Sequence, residues 1–317
     1  MPKQLKSLRW KPAWVTHMGC LAGCTKYLKL DLSPAWLYGG TGHAFIINIS
    51  PDACPSGPTA WDTRMLFGLG SNLGYKPEVA FGLKRGADFA AKQEAAWTFV
   101  RERIDRGLPC YGWELDRPEF YVIYGYDDVG YLYRGPLCQE GAGPKPWQAL
   151  GDSSIGVLEV YSIRRGEAAP DAKVVADALD FAYHHAQPCS DWRYPRYAGG
   201  PTAFEAWAAG LERGEAHRFG QGYNGEVWRE CREMAVEFLK EARRRLPGKA
   251  DAAFDEAMEH YTASRDALRQ VVKLLPFQPD THDGQKVKSP EGAALLRQAA
   301  AAERLGIEIL RRIVGEI

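Results

Sequence analysis

The chain has 317 residues, which is enough for two ordinary domains or one large one. Hydrophobic residues make up 45% and charged residues 25%, the balance of a folded protein rather than a disordered one. The 40 basic residues match the 40 acidic ones, so the formal charge of zero provides no overall attraction to nucleic acid or to an anionic membrane. We therefore expect no nucleic-acid partner.

The N-terminal segment MPKQLKSLRWKPAWVTH is basic but has no apolar core, and nowhere do about 18 apolar residues follow one another. These features predict neither a signal peptide nor a membrane span, and they favour the cytoplasm. The cysteines form no Cys-x-x-Cys pair and show no zinc-ligand spacing. We therefore expect reduced thiols and no metal or other cofactor. The seven cysteines stand at positions 20, 24, 54, 110, 138, 189 and 231.

Glycine and proline separate short apolar runs in the first half of the chain. Ser33 and Pro34 are typical of a helix start, and Gly107 is typical of a helix end. Runs rich in β-branched and aromatic residues predict strands. The predicted helices are 19–30, one beginning at 34, 59–69 and 89–105, and the predicted strands are 43–49, 110–115, 120–126, 131–133 and 155–163.

The second half has long segments with helical periodicity and no internal repeat. We expect His184 and His185, on one of these helices, to be half-exposed. Strands in one half and helices in the other predict an α+β domain at 1–165 and a mostly helical domain at 166–317. The predicted helices are 171–187, 202–212, 225–246, 250–275 and 290–314, with a loop at 276–289.

Several side chains stand where a ligand cleft would need them. His43 follows a glycine-rich turn at the start of a predicted strand, so its imidazole is a candidate base, or else it ties down the turn. Trp61 and Asp62 follow the loop CPSGP and are candidate ligand contacts. The aromatic and basic segment 192–197 either closes over a cleft or packs between domains, and Tyr197 is its candidate ligand contact.

Glu114 and Glu119 form a sharper candidate pair. Glu114 lies in an otherwise apolar strand that also supplies Trp113, a further candidate ligand contact, and Glu119 begins the next strand. Two carboxylates at facing strand ends shift each other's pKa, as acid–base sites require, or bind an amine. The alternative is that one glutamate caps a turn while the other pairs with Arg117 or another cation.

The stretch RERIDRGLPCYGWELDRPEFYVIYGYDDVGYLYRGP resembles the helix-and-strand unit of papain-like double-glycine peptidases. Four segments resemble, in kind and order, those of the BtrH-type family: LYGGTGHAFIINI, CPSGPTAWD, WELDRPEFYVIYGYDD and LGDSSIGVLEVYSI. The resemblance covers roughly residues 15–165. It implies a papain-like α+β first domain with an antiparallel sheet and an N-terminal helix.

The resemblance also implies candidate site residues. In papain-like relatives the nucleophilic cysteine begins the first helix, which points to Cys20, with Cys24 as the alternative. The position of the catalytic histidine falls at Glu119, and that of the aspartate which orients it falls near Gly135. The ordinary Cys–His–Asp relay is therefore missing by position, and His43 is the candidate base.

Two hypotheses follow from the resemblance. BtrH is an acyltransferase that moves an aminoacyl group from an acyl carrier protein to an aminoglycoside. The first hypothesis is therefore a small-molecule acyltransferase or an amide or thioester hydrolase, with Cys20, His43, Glu114 and Glu119 in the cleft and an acyl carrier protein as a candidate partner. The second is a catalytically inactive relative that binds a small polar or cationic ligand or a protein.

Overall fold

The computed structural model describes residues 3–188, 191–280 and 284–317. The chain is a mixed α+β protein with two compact units, each built from two separate segments. The first unit consists of 1–33 and 73–168, and the second of 34–72 and 169–317. The sequence-based boundary at 165/166 lies beside Ala168, where the chain leaves the first unit for the last time. That boundary did not anticipate that 34–72 belong to the second unit.

The described residues contain eleven strands and nine α-helices. The strands are β1 (Lys3–Gln4), β2 (Asn48–Ile49), β3 (Leu73–Leu83), β4 (Cys110–Trp113), β5 (Phe120–Tyr126), β6 (Gly130–Arg134), β7 (Ala142–Pro146), β8 (Val157–Ala168), β9 (Ala198–Gly199), β10 (Ala216–His217) and β11 (Lys286–Val287). The helices are α1 (Thr16–Tyr27), α2 (Pro34–Gly40), α3 (Met65–Asn72), α4 (Phe89–Asp105), α5 (Asp171–Ala186), α6 (Pro201–Arg213), α7 (Arg218–Arg245), α8 (Asp251–Leu274) and α9 (Pro290–Glu316). Two short 3-10 helices span His43–Phe45 and Trp147–Ala149.

An antiparallel sheet of seven strands forms the centre of the first unit. Its order is β3-β8-β4-β5-β6-β7, and β1 pairs with β5 beside this path. Helix α1 packs on β5, and α4 packs on β3 and β8. Every residue of β4 and most of β5 are buried, which explains why these strands read as continuous apolar runs. The sheet therefore fixes the start of β5 beside α1.

The second unit is mainly helical. Helix α9 packs against α5, α6 and α8, and α7 packs against α2 and α8. The start of α9 follows from its sequence, because Ser289 Oγ accepts a hydrogen bond from Gly292 N and Pro290 is the first helical residue. Only two short strand pairs, β2–β9 and β10–β11, accompany these helices among the described residues.

Several element boundaries differ from the sequence prediction. The first helix begins at Thr16 rather than at residue 19. The predicted strand 43–49 is a 3-10 helix followed by the two-residue strand β2, because a run buried at every position has no alternation that distinguishes the two. Strand β3 was not predicted, since Gly74, Pro77 and Gly82 interrupt its pattern. Pro77 is tolerated because β3 is an edge strand of the sheet.

No helix in the described ranges is long and apolar enough to cross a membrane. The six cysteines that the structure describes are free thiols, and Cys189 lies outside the described residues.

Candidate functional site

The residues singled out from the sequence fall into two sets, one in each unit. Cys20, Trp113, Glu114 and Glu119 belong to the first unit. His43, Trp61, Asp62 and Tyr197 belong to the second.

The amino-terminal end of α1 is the most specific polar arrangement in the first unit. Thr16 is the first residue of the helix and is only 7% exposed. Its Oγ1 donates a hydrogen bond to Glu119 Oε2 at 2.6 Å and accepts one from Phe120 N at 3.1 Å. The Thr16 hydroxyl therefore joins the start of α1 to the start of β5 and orients the half-buried Glu119 carboxylate.

Cys20 lies one turn further along α1, behind this pair. Its thiol is completely buried. Burial raises the pKa of the Cys20 thiol well above its ordinary value, and the neighbouring Cys24 and Glu119 raise it further. Because Cys20 is in the second turn of the helix, it does not occupy a position with an unpaired backbone N–H. Each of these features favours the protonated, unreactive thiol.

His17 is the imidazole nearest in sequence to Cys20. It is buried, and its ring makes edge contacts with the rings of Tyr111, Phe120 and Tyr161 at centroid distances of 5.2, 4.8 and 5.7 Å. Its Nε2 lies 3.4 Å from the Tyr111 hydroxyl. Burial lowers the pKa of His17 to about 3, so the imidazole is neutral near pH 7.

The backbones of Glu114 and Glu119 are hydrogen-bonded to each other, whereas their carboxylates have different partners. Glu114 N donates to Glu119 O at 2.8 Å, which closes the turn between β4 and β5. The carboxylate of Glu114 accepts a hydrogen bond from Ser153 Oγ at 2.8 Å, whereas that of Glu119 is held by Thr16. Glu114 also adopts a φ of 59°, a strained value for a residue other than glycine.

Trp113 packs against Phe120 at a ring-centroid distance of 5.0 Å and is 7% exposed. In this structure its indole is part of the packing beside the 114–119 turn.

In the second unit, His43 begins a 3-10 helix immediately after Gly42, whose φ is 79°. The Thr41 hydroxyl donates to Leu37 O at 2.8 Å, and Thr41 Oγ1 lies 3.1 Å from His43 Nδ1. The His43 side chain is 6% exposed.

The buried ion pair between Arg232 and Glu303 supports the turn that carries His43. Both side chains are fully buried. Arg232 also donates to Ala44 O at 3.2 Å and to Ile46 O at 2.6 Å, on both sides of Phe45. The buried guanidinium makes four hydrogen bonds, two to the Glu303 carboxylate and two to backbone carbonyls, and the last two hold this turn.

Trp61 connects two histidines in the second unit. Its ring makes edge contacts with His43 at 5.7 Å and with His185 at 5.8 Å. His184 is exposed as a helix surface residue, but His185 is only 1% exposed, which corrects the expectation that both are half-exposed. The two residues lie on different faces of α5, because consecutive helical positions do not face the same way.

The remaining predicted contacts have protein partners within the second unit. The Asp62 carboxylate pairs with Arg64, whose hydrogen bond lowers the pKa of that carboxyl. Asp62 N donates to Trp192 O at 2.8 Å, so the start of the 192–197 segment packs beside Trp61 and Asp62. The Tyr197 hydroxyl lies 2.7 Å from Ser56 Oγ.

Sequence reasoning missed Thr16. The available signal was a threonine just before the apolar periodicity of α1, although its hydroxyl bonds groups at the start of β5 and does not cap the helix. In the described part of the chain, no cluster of His, Cys, Asp and Glu side chains could hold a metal ion. No protein-family model and no curated protein matches the chain.

Proposed function

We propose that the chain is a BtrH-type relative whose first unit has a papain-like arrangement, and that it binds a small amine-bearing ligand without using a cysteine nucleophile. The observation that carries this proposal is the 2.6 Å hydrogen bond from Thr16 Oγ1 to Glu119 Oε2 at the start of α1.

The positions of the two residues support the comparison with the papain-like arrangement. In the family that the sequence resembles, the nucleophile begins the first helix, and the imidazole stands at the position of Glu119. In this chain the residue that begins α1 is Thr16, and its hydroxyl is hydrogen-bonded to that same Glu119. Thr16 and Glu119 thus stand where a cysteine and a histidine are expected.

The chemistry of this pair argues against nucleophilic catalysis. A hydroxyl is a much weaker acid than a thiol, and a carboxylate is a weaker base than an imidazole. Burial and, to a smaller extent, the Glu119 carboxylate raise the pKa of Cys20, which argues against the nearest alternative nucleophile. The pair therefore does not generate an attacking anion near pH 7.

The same pair is suited to binding a cation. Thr16 holds one oxygen of the half-buried Glu119 carboxylate in place, and an oriented carboxylate forms strong, charge-assisted hydrogen bonds with an ammonium group. Pre-orientation reduces the entropy lost on binding. An amine-bearing small molecule, such as an amino sugar, is the ligand class that this arrangement favours.

A second candidate function is the acyltransferase or amide or thioester hydrolase that uses Cys20. It is favoured by the spacing of His17 and Cys20, which are three residues apart on one helix and thus on the same face. The pKa shifts oppose it, since burial weakens His17 as a base and Cys20 as an acid at the same time.

Calorimetric titration with kanamycin, an aminoglycoside, tests the binding proposal. We expect the wild-type chain to bind it and Glu119→Gln to weaken the affinity by about tenfold, the size of one lost charge-assisted contact. Glu94→Gln is the matched control, because Glu94 is an exposed glutamate on α4 of the same unit. Absence of binding, or equal affinity of the wild type and Glu119→Gln, would overturn the proposal.

A further inference from the structure

Two arginines are buried in the described part of the chain, and their charges are compensated differently. Arg232, in the second unit, is fully buried and forms an ion pair with the Glu303 carboxylate. Arg134, the last residue of β6 in the first unit, is 9% exposed. Its Nη1 donates to Leu8 O at 2.8 Å and its Nε to Glu140 O at 3.3 Å. Both acceptors are backbone carbonyls, so no carboxylate bonds Arg134 among the described residues.

A second guanidinium meets Arg134 at the same carbonyl. Arg9 Nη1 donates to Leu8 O at 3.1 Å and also to Lys6 O. The Arg9 side chain is exposed, and its acceptors are again backbone carbonyls. In both arginines the N–H groups of Nη2 have no acceptor among the described residues. We call Arg9 and Arg134 the arginine pair.

The arginine pair brings two like charges together. Burial and, to a smaller extent, the charge of Arg9 lower the pKa of Arg134. Guanidinium groups nevertheless stay protonated in proteins, so both charges remain beside one carbonyl oxygen. A buried charge is normally paired with an opposite charge, because it has lost its hydration. An anion bound to both guanidiniums supplies the counter-charge and removes the repulsion.

The backbone around the arginine pair is fixed by the first unit. Leu5 N donates to Tyr124 O at 2.6 Å, which attaches the 5–8 turn to β5, and Leu8 N donates to Leu5 O at 2.9 Å. The Leu8 side chain is completely buried. The Arg134 guanidinium also stacks on Tyr124, with Cζ 3.8 Å from the ring centroid. Arg134 is therefore oriented in advance, as a binding site requires.

The surroundings of the arginine pair are mainly basic. Residues 1–30 contain no Asp or Glu, and Lys6 and Lys11 stand on either side of Arg9 in the sequence. Glu140 is the carboxylate that acts on Arg134, and it raises the pKa of Arg134 less than Arg9 lowers it. The Glu140 side chain is exposed, and only its carbonyl bonds Arg134. The local charge therefore favours an incoming anion.

We propose that the arginine pair binds a phosphate group, either as the free ion or as a small phosphate monoester. A guanidinium donates two parallel hydrogen bonds to phosphate oxygens, and each arginine has its Nη2 donors available. A phosphate monoester carries nearly two negative charges near pH 7, so it matches two cations better than a carboxylate does. Arg134 supplies the fixed donors, and the exposed Arg9 leaves one side of the site open to solvent. This site does not depend on the amine-binding proposal, since neither Thr16 nor Glu119 takes part.

Calorimetric titration with phenyl phosphate and with benzoate tests this proposal, because the two probes share a ring and differ in charge. We expect phenyl phosphate to bind the wild-type chain about tenfold more tightly than benzoate at low salt. Arg9→Gln should weaken the binding of phenyl phosphate by about tenfold, because it removes charge-assisted hydrogen bonds. Glu140→Gln should strengthen it by about twofold, because it removes a repulsive charge.

A titration with inorganic phosphate identifies the source of the phosphate group. Binding of either phosphate probe supports the proposal. Tighter binding of phenyl phosphate identifies a monoester as the ligand, and equal binding identifies the free ion.

Arg85→Gln is the matched control, because Arg85 is an exposed arginine of the first unit on the loop between β3 and α4. Modification of the wild-type chain by phenylglyoxal, read by peptide mass, locates the site without a substitution. We expect phenyl phosphate to protect Arg9 and not Arg85.

The proposal is overturned if neither phosphate probe binds, or if benzoate binds as tightly as phenyl phosphate. It is equally overturned if Arg9→Gln and Arg85→Gln weaken the binding by the same factor, or if phenyl phosphate leaves Arg9 unprotected.

Discussion

Thr16 shows how one hydroxyl links helix geometry to chemistry. As the first residue of α1 it serves two groups at once, the Glu119 carboxylate and the Phe120 amide. Both are at the start of β5, so the helix start and the strand start are held in a fixed relation. In the function proposed above, the identity of the residue at this one position distinguishes a ligand-binding site from a site for nucleophilic attack.

The buried histidines make stability depend on pH. Burial lowers the pKa of His185 from 6.5 to about 3. Between these values the unfolded chain binds a proton that the folded chain does not. The contribution of neutral, buried His185 to the free energy of unfolding is therefore fully present above pH 6.5 and is lost as the pH falls towards 3.

We predict that His185→Gln reduces the slope of unfolding free energy against pH between pH 6 and 4, by up to about 1.4 kcal/mol per pH unit. Urea unfolding at several pH values measures this slope. The control is His184→Gln, which changes the exposed neighbour and should leave the slope as in the wild type. Equal slopes for the two variants would contradict the burial argument.

At the scale of the element, α1 depends on two glycines that let another segment approach its backbone. A Cβ at Gly19 would lie 2.3 Å from Lys11 O, and a Cβ at Gly23 would lie 1.9 Å from Arg9 O. The two glycines are one turn apart on the same face of the helix. The segment that contains Arg9 and Lys11 therefore packs directly on the α1 backbone, and the Trp10 indole also lies against Gly19.

We predict that Gly23→Ala destabilises the protein by about 2 kcal/mol or more, because backbone atoms must move to accept the methyl group. Gly68→Ala, in helix α3, is the control. A Cβ at Gly68 meets nothing within 4 Å, so this change should be neutral or stabilising by about 0.5–1 kcal/mol. Thermal unfolding of the two variants measures both effects, and similar melting temperatures would refute the close-packing account.

Elements with a clear local pattern were predictable from the sequence. Helix α4 and strand β5 have the predicted bounds, since α4 has helical periodicity closed by Gly107 in the left-handed conformation, and β5 is a β-branched and aromatic run. The turn at His43 was not predictable, because its geometry depends on Arg232, which is far away in the sequence. Long-range hydrogen bonds of this kind leave no local trace in the sequence.

The same distinction applies to the candidate site. Local pattern and resemblance selected Glu119 as a candidate carboxylate at the position of the family's histidine, and in the structure this carboxylate accepts a hydrogen bond from Thr16. The sequence pattern could not locate the first residue of α1 to within one helical turn. That one-turn uncertainty decides whether Thr16 or Cys20 stands at the helix terminus.

At the scale of the whole molecule, the chain passes between its two units rather than completing one before the other. Residues 34–72 leave the first unit after α1 and return at β3. Residues 34–72 contain ten glycine and proline residues, against four in 1–33, but such a composition predicts loops rather than a change of unit. The resemblance to the BtrH-type family includes residues 34–72, so it draws on sequence from both units.

We propose that Thr16, and not Cys20, occupies the position that the nucleophile takes in papain-like relatives. The most direct measurement is the rate of iodoacetamide alkylation at each cysteine against pH, read by peptide mass, in the wild type and in Thr16→Cys. We predict that Cys20 reacts more slowly than an ordinary thiol at every pH, and that the thiol introduced by Thr16→Cys reacts faster than Cys20. Rapid alkylation of Cys20, with an apparent pKa well below the free-thiol value of about 8.5, would contradict the account and favour the acyltransferase alternative.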